Sequence, residues 1–453
     1  MAEENTVLSA PEPPADVLTS AATALRRPWT RRLARRLVLD RLRGIEAGSL
    51  MVLEDGTRHV FGPGDGEPPL AARLTIEDPA CWDSLAWGGS IGAAEAYCDG
   101  LWSTPDLTAV VRVLARNQAA RQGVEAGTAA LLKPFRRMLH RMRRNTWRGS
   151  RRNISAHYDT GNAFFATFLD PTMTYSCAVF DREEISLDAA QRAKLDLVCR
   201  KLRLGPRDRL VEIGTGWGSL AIHAASHYGC RVVTTTISEE QFDHTSRAVA
   251  EAGLSDRVTV LHEDYRALNP RFRGAFDKLA AIEMVEAVGH DYLPDYLRAV
   301  SDLLAPDGLA LLQAILMPDH WYEEYRRSVD FIQRHIFPGG LLPSLARLQA
   351  CAAEASDLRL VDLEDLTADY ARTLAEWRTR FEAQDEPLAA LGLSAWERRK
   401  WRYYFAYCEG GFLERTISAT QILYAKPGFR GAVPARRWPG TPAPAGGQLE
   451  MTR

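Results

Sequence analysis

Residues Glu212-Ile213-Gly214-Thr215-Gly216-Trp217-Gly218 lie between an apolar run, RLVEI, and a helix-like stretch, SLAIHAASHYG. Glycines in a strand-to-helix turn let a ligand approach backbone N–H groups with no Cβ in the way. The spacing is GxGxG, unlike the GxGxxG of a dinucleotide pyrophosphate loop. Glu212, directly before the turn, suits the amino group of a bound amino-acid moiety such as S-adenosylmethionine presents. Thr236 and Gln241 end and follow the next apolar run, offering a hydroxyl and an amide to a ribose. Asp264 and Tyr265 end the third, where a carboxylate can accept from an adenine amino group. Glu283, Glu286, Gln313 and Ile315 fall at the ends of the fourth and fifth.

Such residues need a scaffold that brings strand ends together. From about 195 to 317 the pattern alternates strand and helix, which implies a parallel sheet with crossovers, and open α/β sheets bind ligands at the carboxyl ends of their strands. The expected fold is therefore a Rossmann-like α/β domain over residues 154–427. Ser238 and Gln241 are spaced as a capping box for its second helix. Residues 318–425 are richer in aromatics and read as mostly helical. Upstream, helix is expected after Pro28. SLMVLEDGTRHVFG reads as a hairpin about Asp55-Gly56, ARLTIEDP as a strand and SIGAAEAYCDGLW as a helix. Residues 21–130 thus form a small α+β domain. The Pro-rich ends, 1–20 and 428–453, read as disordered.

Composition narrows the function. With 46% hydrophobic and 25% charged residues, the chain is globular. Its formal net charge of −2 argues against a globally basic nucleic-acid binder. Basicity rests almost wholly on Arg, with Lys only at 133, 194, 201, 278, 400 and 426. No apolar run approaches the roughly 20 residues that span a bilayer, and the N-terminus lacks a signal-peptide core. Seven scattered cysteines without a CxxC pair fit a reducing cytoplasm and give no zinc site. Residues 131–153 hold nine Lys/Arg and no acid, interleaved with Leu, Phe, Met and Trp. They read either as a solvated linker helix or as a segment drawn to an anionic membrane surface.

Several separated stretches together resemble the cyclopropane-fatty-acyl-phospholipid synthases, kin of the mycolic-acid methyltransferases. They are HYDTGNAFFATFLDPTMTYSCAVF (157–180), VEIGTGWGSLA (211–221), TTISEEQ (235–241), EMVEAVG (283–289), IFPGGLLPS (336–344) and YCEGGFLERTISATQ (407–421). The resemblance spans roughly residues 45–427. It implies a seven-stranded S-adenosylmethionine-dependent methyltransferase domain with a helical lipid-pocket insertion, preceded by a lipid-contacting domain. The reaction implied is transfer of a methylene group onto the cis double bond of a phospholipid acyl chain. Tyr175, Ser176, Gly214, Thr215, Gly216, Thr236 through Gln241, Asp264 and Tyr265 match the family's cofactor positions. A bicarbonate ion is implied beside the sulfonium, held by Cys177, Glu286, Gln313, the Ile315 backbone and Tyr370. Many relatives carry His at the position of Gln313, and some at that of Ala287. Gln can donate to an anion but cannot become cationic.

The implied chemistry explains the residue types. An alkene is a poor nucleophile, and holding it in line with an electrophilic methyl can be worth about 7–11 kcal/mol. Methylation leaves a carbocation, which aromatic rings in a dry pocket stabilise by roughly 2 kcal/mol. TYS, HWYEEY and KWRYYFAYC offer such rings. A base then removes a proton so that a cyclopropane ring closes, with Glu286 orienting the bicarbonate and Tyr370 donating to it. Cys177 is expected to serve through its backbone N–H, and Glu283 has the weaker claim of the two carboxylates. His157 either lines the site or satisfies a turn. The nearest rival keeps the cation but loses a different proton, giving a methylene- or methyl-branched chain, the latter with a separate reductase. A nucleic-acid methyltransferase and a non-catalytic lipid-binding protein are the readings from other classes. The expected setting is the inner face of a membrane with unsaturated lipids, peripherally bound from the cytoplasm, with dimerisation suggested by the family and no nucleic acid.

Overall fold

The computed structural model describes residues 28–63, 70–117, 161–182 and 184–432. They fall into two compact units: one runs to Pro105 and takes in Asn117, and the other holds Asp106–Arg116 and the chain after 131. The leader, the basic stretch 131–153, His157 and the tail beyond 432 lie outside the described residues.

In the first unit, helix α1 (Pro28–Leu42) begins at Pro28 as expected. Strands β1 (Ser49–Glu54) and β2 (Thr57–Phe61) pair antiparallel about Asp55 and Gly56, whose φ values of 46° and 76° make the tight hairpin turn. Strand β3 (Ala71–Ile76) lies parallel to β1, and β4 (Trp102–Ser103) antiparallel to β3, giving the order β2-β1-β3-β4. Helix α2 spans Cys81–Cys98. Glu54 ties both helices to the sheet, accepting from Trp82 Nε1 at 2.6 Å and Arg35 Nε at 2.7 Å.

The second unit includes helix α3 (Leu107–Arg116), which the sequence reading placed in the N-terminal domain. Thr108 Oγ1 donates to Glu409 at 3.0 Å, and Arg112 and Arg116 both pair with Glu414. These long-range bonds explain why α3 is counted with the second unit. Helix α4 (Leu187–Lys201) leads into β5 (Arg209–Ile213), α5 (Ser219–Tyr228), β6 (Arg231–Thr236), α6 (Glu239–Glu251) and β7 (Val258–His262). Then come β8 (Phe276–Ile282), α7 (Leu293–Leu303), β9 (Leu304–Leu316), α8 (Leu345–Ala355), β10 (Arg359–Asp365), α9 (Thr367–Glu382), α10 (Ala395–Leu413) and β11 (Ser418–Ala425).

The sheet order is β10-β11-β9-β8-β5-β6-β7, parallel from β9 through β7 and antiparallel where β11 meets β9 and β10. Alternate residues of the central strands enter opposite cores. Val211, Leu279, Ala310 and Leu312 face α7 and α8, while Leu210, Ala280, Leu309 and Leu311 face α4 and α5. Burial on both faces is why these strands read as continuous apolar runs. The two antiparallel strands were hidden in a stretch read as mostly helical. RLVDLED is half charged, as an edge strand tolerates, and SATQILYA carries the polar Ser418, Thr420 and Gln421 in place of an apolar run. The expected capping box is half made: Ser238 accepts from Gln241 N–H, but the Gln241 carboxamide turns to Thr236. No helix among the described residues is long and apolar enough to cross a membrane.

Candidate active site

The glycine turn sits between β5 and α5. Gly214, Gly216 and Gly218 have φ of 91°, 53° and 87°, a region in which a side chain would be strained. Gly214 and Thr215 N–H both donate to Thr235 carbonyl, which pins the turn against β6. A Cβ at Gly214 would lie 2.7 Å from Met284 Cγ, whereas one at Gly216 would meet nothing within 4 Å. Gly216 therefore faces open space, the side on which a ligand can approach. Glu212 is buried beneath the turn, where Thr234 Oγ1 donates to it at 2.6 Å. Burial pushes its carboxyl up to about 8, against the pull of that bond and of the Lys194 charge.

Met284 also joins the turn to a pair of carboxylates. Glu283 and Glu286 follow β8, crowded by protein atoms yet each keeping some exposed surface, as cavity-lining groups do. Glu283 is the centre of a network drawn from four elements. Its Oε1 accepts from Cys177 N–H at 2.9 Å and from Gln313 Nε2 at 2.8 Å, and its Oε2 from Tyr370 OH at 2.6 Å. Gln313 is held in turn by Gln421 Nε2, which donates to its Oε1 at 3.0 Å. Glu286 Oε1 accepts from Ile315 N–H at 2.6 Å, and its Oε2 is buried without a partner. Thus Cys177, Gln313 and Tyr370 converge, but on Glu283, where the sequence reading had centred them on Glu286 and a bound ion.

Segment 175–180 is laid against α9 by paired bonds: Ala178 N–H to Thr373 Oγ1 and Phe180 N–H to Asp369. That delivers Cys177 N–H to Glu283. The Cys177 thiol is fully buried and donates to carbonyl oxygens, consistent with a role through its backbone. Ser176 Oγ accepts from Lys194 Nζ at 2.8 Å. Lys194 is itself buried, and burial lowers its pKa against the attraction of Glu283.

Rings wall the region. Tyr175 packs on Phe165 and Trp377 with centroids 5.4 and 5.3 Å apart, and its OH donates to Tyr404 OH. Trp217, from the glycine turn, packs on Phe165 at 5.1 Å. TYS and KWRYYFAYC thus reach one cluster, while Tyr322 of HWYEEY pairs elsewhere with His290. Most of these rings are fully buried core. Tyr175 and Phe337 keep exposed surface and are the ones able to face a substrate.

A family model described as mycolic acid cyclopropane synthetase matches residues 146–422. The chain belongs to that family. It is 37% identical over 434 residues, 92% of its length and 94% of the relative's, to the tuberculostearic acid methyltransferase UfaA1 of Mycobacterium tuberculosis. It is 33% identical to the cyclopropane-fatty-acyl-phospholipid synthase of Escherichia coli K12, over 78% of this chain and 88% of that one. Among solved structures, the mycolic acid cyclopropane synthase CmaA1 in complex with SAH and CTAB superposes with a TM-score of 0.56 at 32% identity. The match covers 61% of this chain and 98% of that one. The chain is an S-adenosylmethionine-dependent methyltransferase of the cyclopropane synthetase family.

Within that family frame, the open space at Gly216 is where the glycine turn can admit the cofactor, while the Gly214 and Thr215 N–H groups and the Thr236 hydroxyl are already bonded to Thr235 carbonyl and Gln241. Two expected cofactor residues are engaged otherwise. Asp264 is gripped by its neighbour, both oxygens accepting from the Arg266 guanidinium at 2.8 and 2.6 Å. Tyr265 lies in the hydrophobic core, edge-on to Tyr296. The bicarbonate fits less well, because the N–H and O–H groups of Cys177, Gln313, Ile315 and Tyr370 all donate to the chain's own carboxylates. The sequence reading missed Lys194, Trp377 and Gln421. Lys194 sits in an amphipathic helical pattern that reads as a solvated base, and nothing local marks it as buried.

Proposed function

We propose that the protein methylates the cis double bond of an unsaturated phospholipid acyl chain and releases a methylene-branched chain. One observation carries the reading. The carboxylate pair at the end of β8 meets the glycine turn through Met284, and Tyr370, which donates to Glu283, packs on Trp377 of the aromatic cluster. S-adenosylmethionine supplies the electrophilic methyl when bound. The chain's residues then do three things. Tyr175 and Phe337 present ring faces to the cation left on the acyl chain. The surrounding apolar core excludes water that would trap it. One carboxylate of the pair takes up the proton that must leave.

The product follows from when that proton leaves. Loss from the new methyl before any rearrangement closes a three-membered ring. If a hydride first moves from the methylated carbon to its cationic neighbour, the same loss gives an exocyclic-type methylene branch. Two observations favour the branch over ring closure. UfaA1, matched over nearly the whole chain, is named a tuberculostearic acid methyltransferase. The strand-end position where many relatives carry a titratable His holds the neutral Gln313. Converting the methylene to a methyl branch needs two electrons and two protons, the task of a separate reductase.

The test is lipid mass spectrometry after incubation with S-adenosylmethionine and vesicles of a monounsaturated phospholipid. The expected outcome is a gain of one CH₂ per acyl chain in a product that still takes up hydrogen over a catalyst. A product with the same gain that resists hydrogenation would assign ring closure instead. No gain on any monounsaturated phospholipid would overturn the reading.

A further inference from the structure

We infer that Glu283 is the base of this reaction, its own carboxylate filling the seat assigned by resemblance to a bicarbonate ion. The inference rests on the acyl-methylation reading above and deepens it. Three of the groups expected to grip bicarbonate donate to Glu283: Cys177 N–H, Gln313 Nε2 and Tyr370 OH, at 2.9, 2.8 and 2.6 Å. The Ile315 N–H donates to Glu286. A second anion entering here would face two carboxyl groups and find those four donors already committed, so like-charge repulsion would oppose it.

Glu283 is also placed at a backbone cost. Its φ is 53°, in the left-handed region that residues other than glycine seldom occupy. Such strain persists only where the surroundings impose it, and it clusters at functional sites. Here the bend sits at the end of β8, where Glu283 N–H donates to Gln313 carbonyl at 2.8 Å. The backbone at Glu283 and the side chain of Gln313 are therefore fixed together, and Gln421 keeps the Gln313 amide turned toward the carboxylate.

All three of these donors are neutral, and among the described residues no Lys, Arg or His nitrogen forms an ion pair with Glu283. A carboxylate held by neutral donors keeps its geometry without having its charge quenched by a clamped cation. Burial pushes the Glu283 carboxyl up, opposed by Tyr370, Cys177 N–H, Gln313 and the more distant Lys194 charge. The upward push favours proton uptake. In the step itself a C–H bond of the transferred methyl breaks. After the hydride shift the methylated carbon is the cationic one, so the electron pair of that C–H bond becomes the π bond between it and the former methyl carbon, and the proton passes to a Glu283 carboxylate oxygen. After product release that proton returns to solvent.

The test uses the full-length protein with monounsaturated phospholipid vesicles in buffer stripped of carbon dioxide. The wild type is expected to turn over equally with and without added bicarbonate. Glu283→Gln keeps the shape and is expected to lose about 100-fold or more in kcat, with S-adenosylmethionine affinity nearly unchanged by calorimetry. Glu283→Gly suits the positive φ and vacates the seat, so bicarbonate or formate is expected to restore turnover in that variant alone. Wild-type activity that requires bicarbonate, or a Glu283→Gln variant that stays active, would overturn the inference while leaving the methylation reading intact. A folded Glu283→Gly variant that no small anion rescues would make Glu283 a positioning residue, which also overturns it. A wild type that methylates no unsaturated lipid would sink the functional reading itself.

Discussion

Glu286 has one carboxyl oxygen on Ile315 N–H and the other buried without a partner, and burial with the Glu283 charge pushes its carboxyl up to about 8. At neutral pH Glu286 is therefore mostly protonated, while burial also pushes the Glu283 carboxyl up, opposed by the Tyr370, Cys177 N–H and Gln313 bonds. When Glu283 carries the charge that a base needs, ionising Glu286 as well would set a second negative charge beside it. Turnover is expected to fall as pH rises through about 8, and Glu286→Gln, which mimics the neutral acid, is expected to keep activity at pH 7 and lose that limb. An unchanged limb in the pH–rate profile would assign it to another group. Glu212 makes the corresponding statement about stability. Its folded value near 8 lies above its ordinary 4.5, so between those values the unfolded chain has released a proton that the native state retains. Stability is greatest below that window and declines as pH rises through it. Glu212→Gln is expected to flatten this part of a plot of urea midpoint against pH. At this scale sequence and resemblance named Cys177, Glu286, Gln313, Ile315 and Tyr370. The central position of Glu283 was not legible, because it depends on one left-handed φ and on donors 106, 30 and 87 residues away in the chain.

Elements were easier to read than the contacts between them. The five parallel strands and the hairpin about Asp55-Gly56 announce themselves through apolar runs and turn chemistry, which act locally. Strands β10 and β11 do not, since they complete a sheet whose partner strand β9 lies far back in the chain. The glycine turn shows how local conformation and ligand access can be separated. Gly216→Ala adds a methyl to open space at φ 53°, a strain of roughly 1–2 kcal/mol. It is expected to fold, with only a modest drop in Tm, but to lose most of its S-adenosylmethionine affinity by calorimetry. Gly214→Ala drives its methyl onto Met284, 2.7 Å away, and is expected to lose both cofactor affinity and several degrees of Tm. Equal damage to cofactor binding and stability in both variants would mean that the open side of Gly216 is not where the cofactor lies.

On the functional reading proposed above, the protein must reach a double bond inside a bilayer with no membrane-crossing helix among its described residues. A net charge of −2 offers no general attraction to anionic lipid, so the attraction must be local. Two segments combine basic and apolar residues. One is 131–153, with nine Lys/Arg and no acid, which lies outside the described residues. The other is α1, where Trp29 and Leu33 are 62% and 45% exposed beside exposed Arg32 and Arg36. Near an anionic surface each basic residue contributes about 1 kcal/mol, and the attraction fades within a Debye length of roughly 8–10 Å at moderate salt. Apolar insertion by contrast survives salt. Co-sedimentation with anionic vesicles is therefore expected to weaken steeply as salt rises, and reversal of Arg136, Arg137, Arg143 and Arg144 to Glu is expected to remove most of the salt-sensitive part. Trp29→Ala combined with Leu33→Ala is expected to remove part of what remains at high salt. All these variants should retain turnover on detergent-dispersed lipid, because none alters the carboxylate pair or the glycine turn. If the reversed variant sediments like the wild type, the basic stretch is a solvated linker and the membrane is reached by another surface.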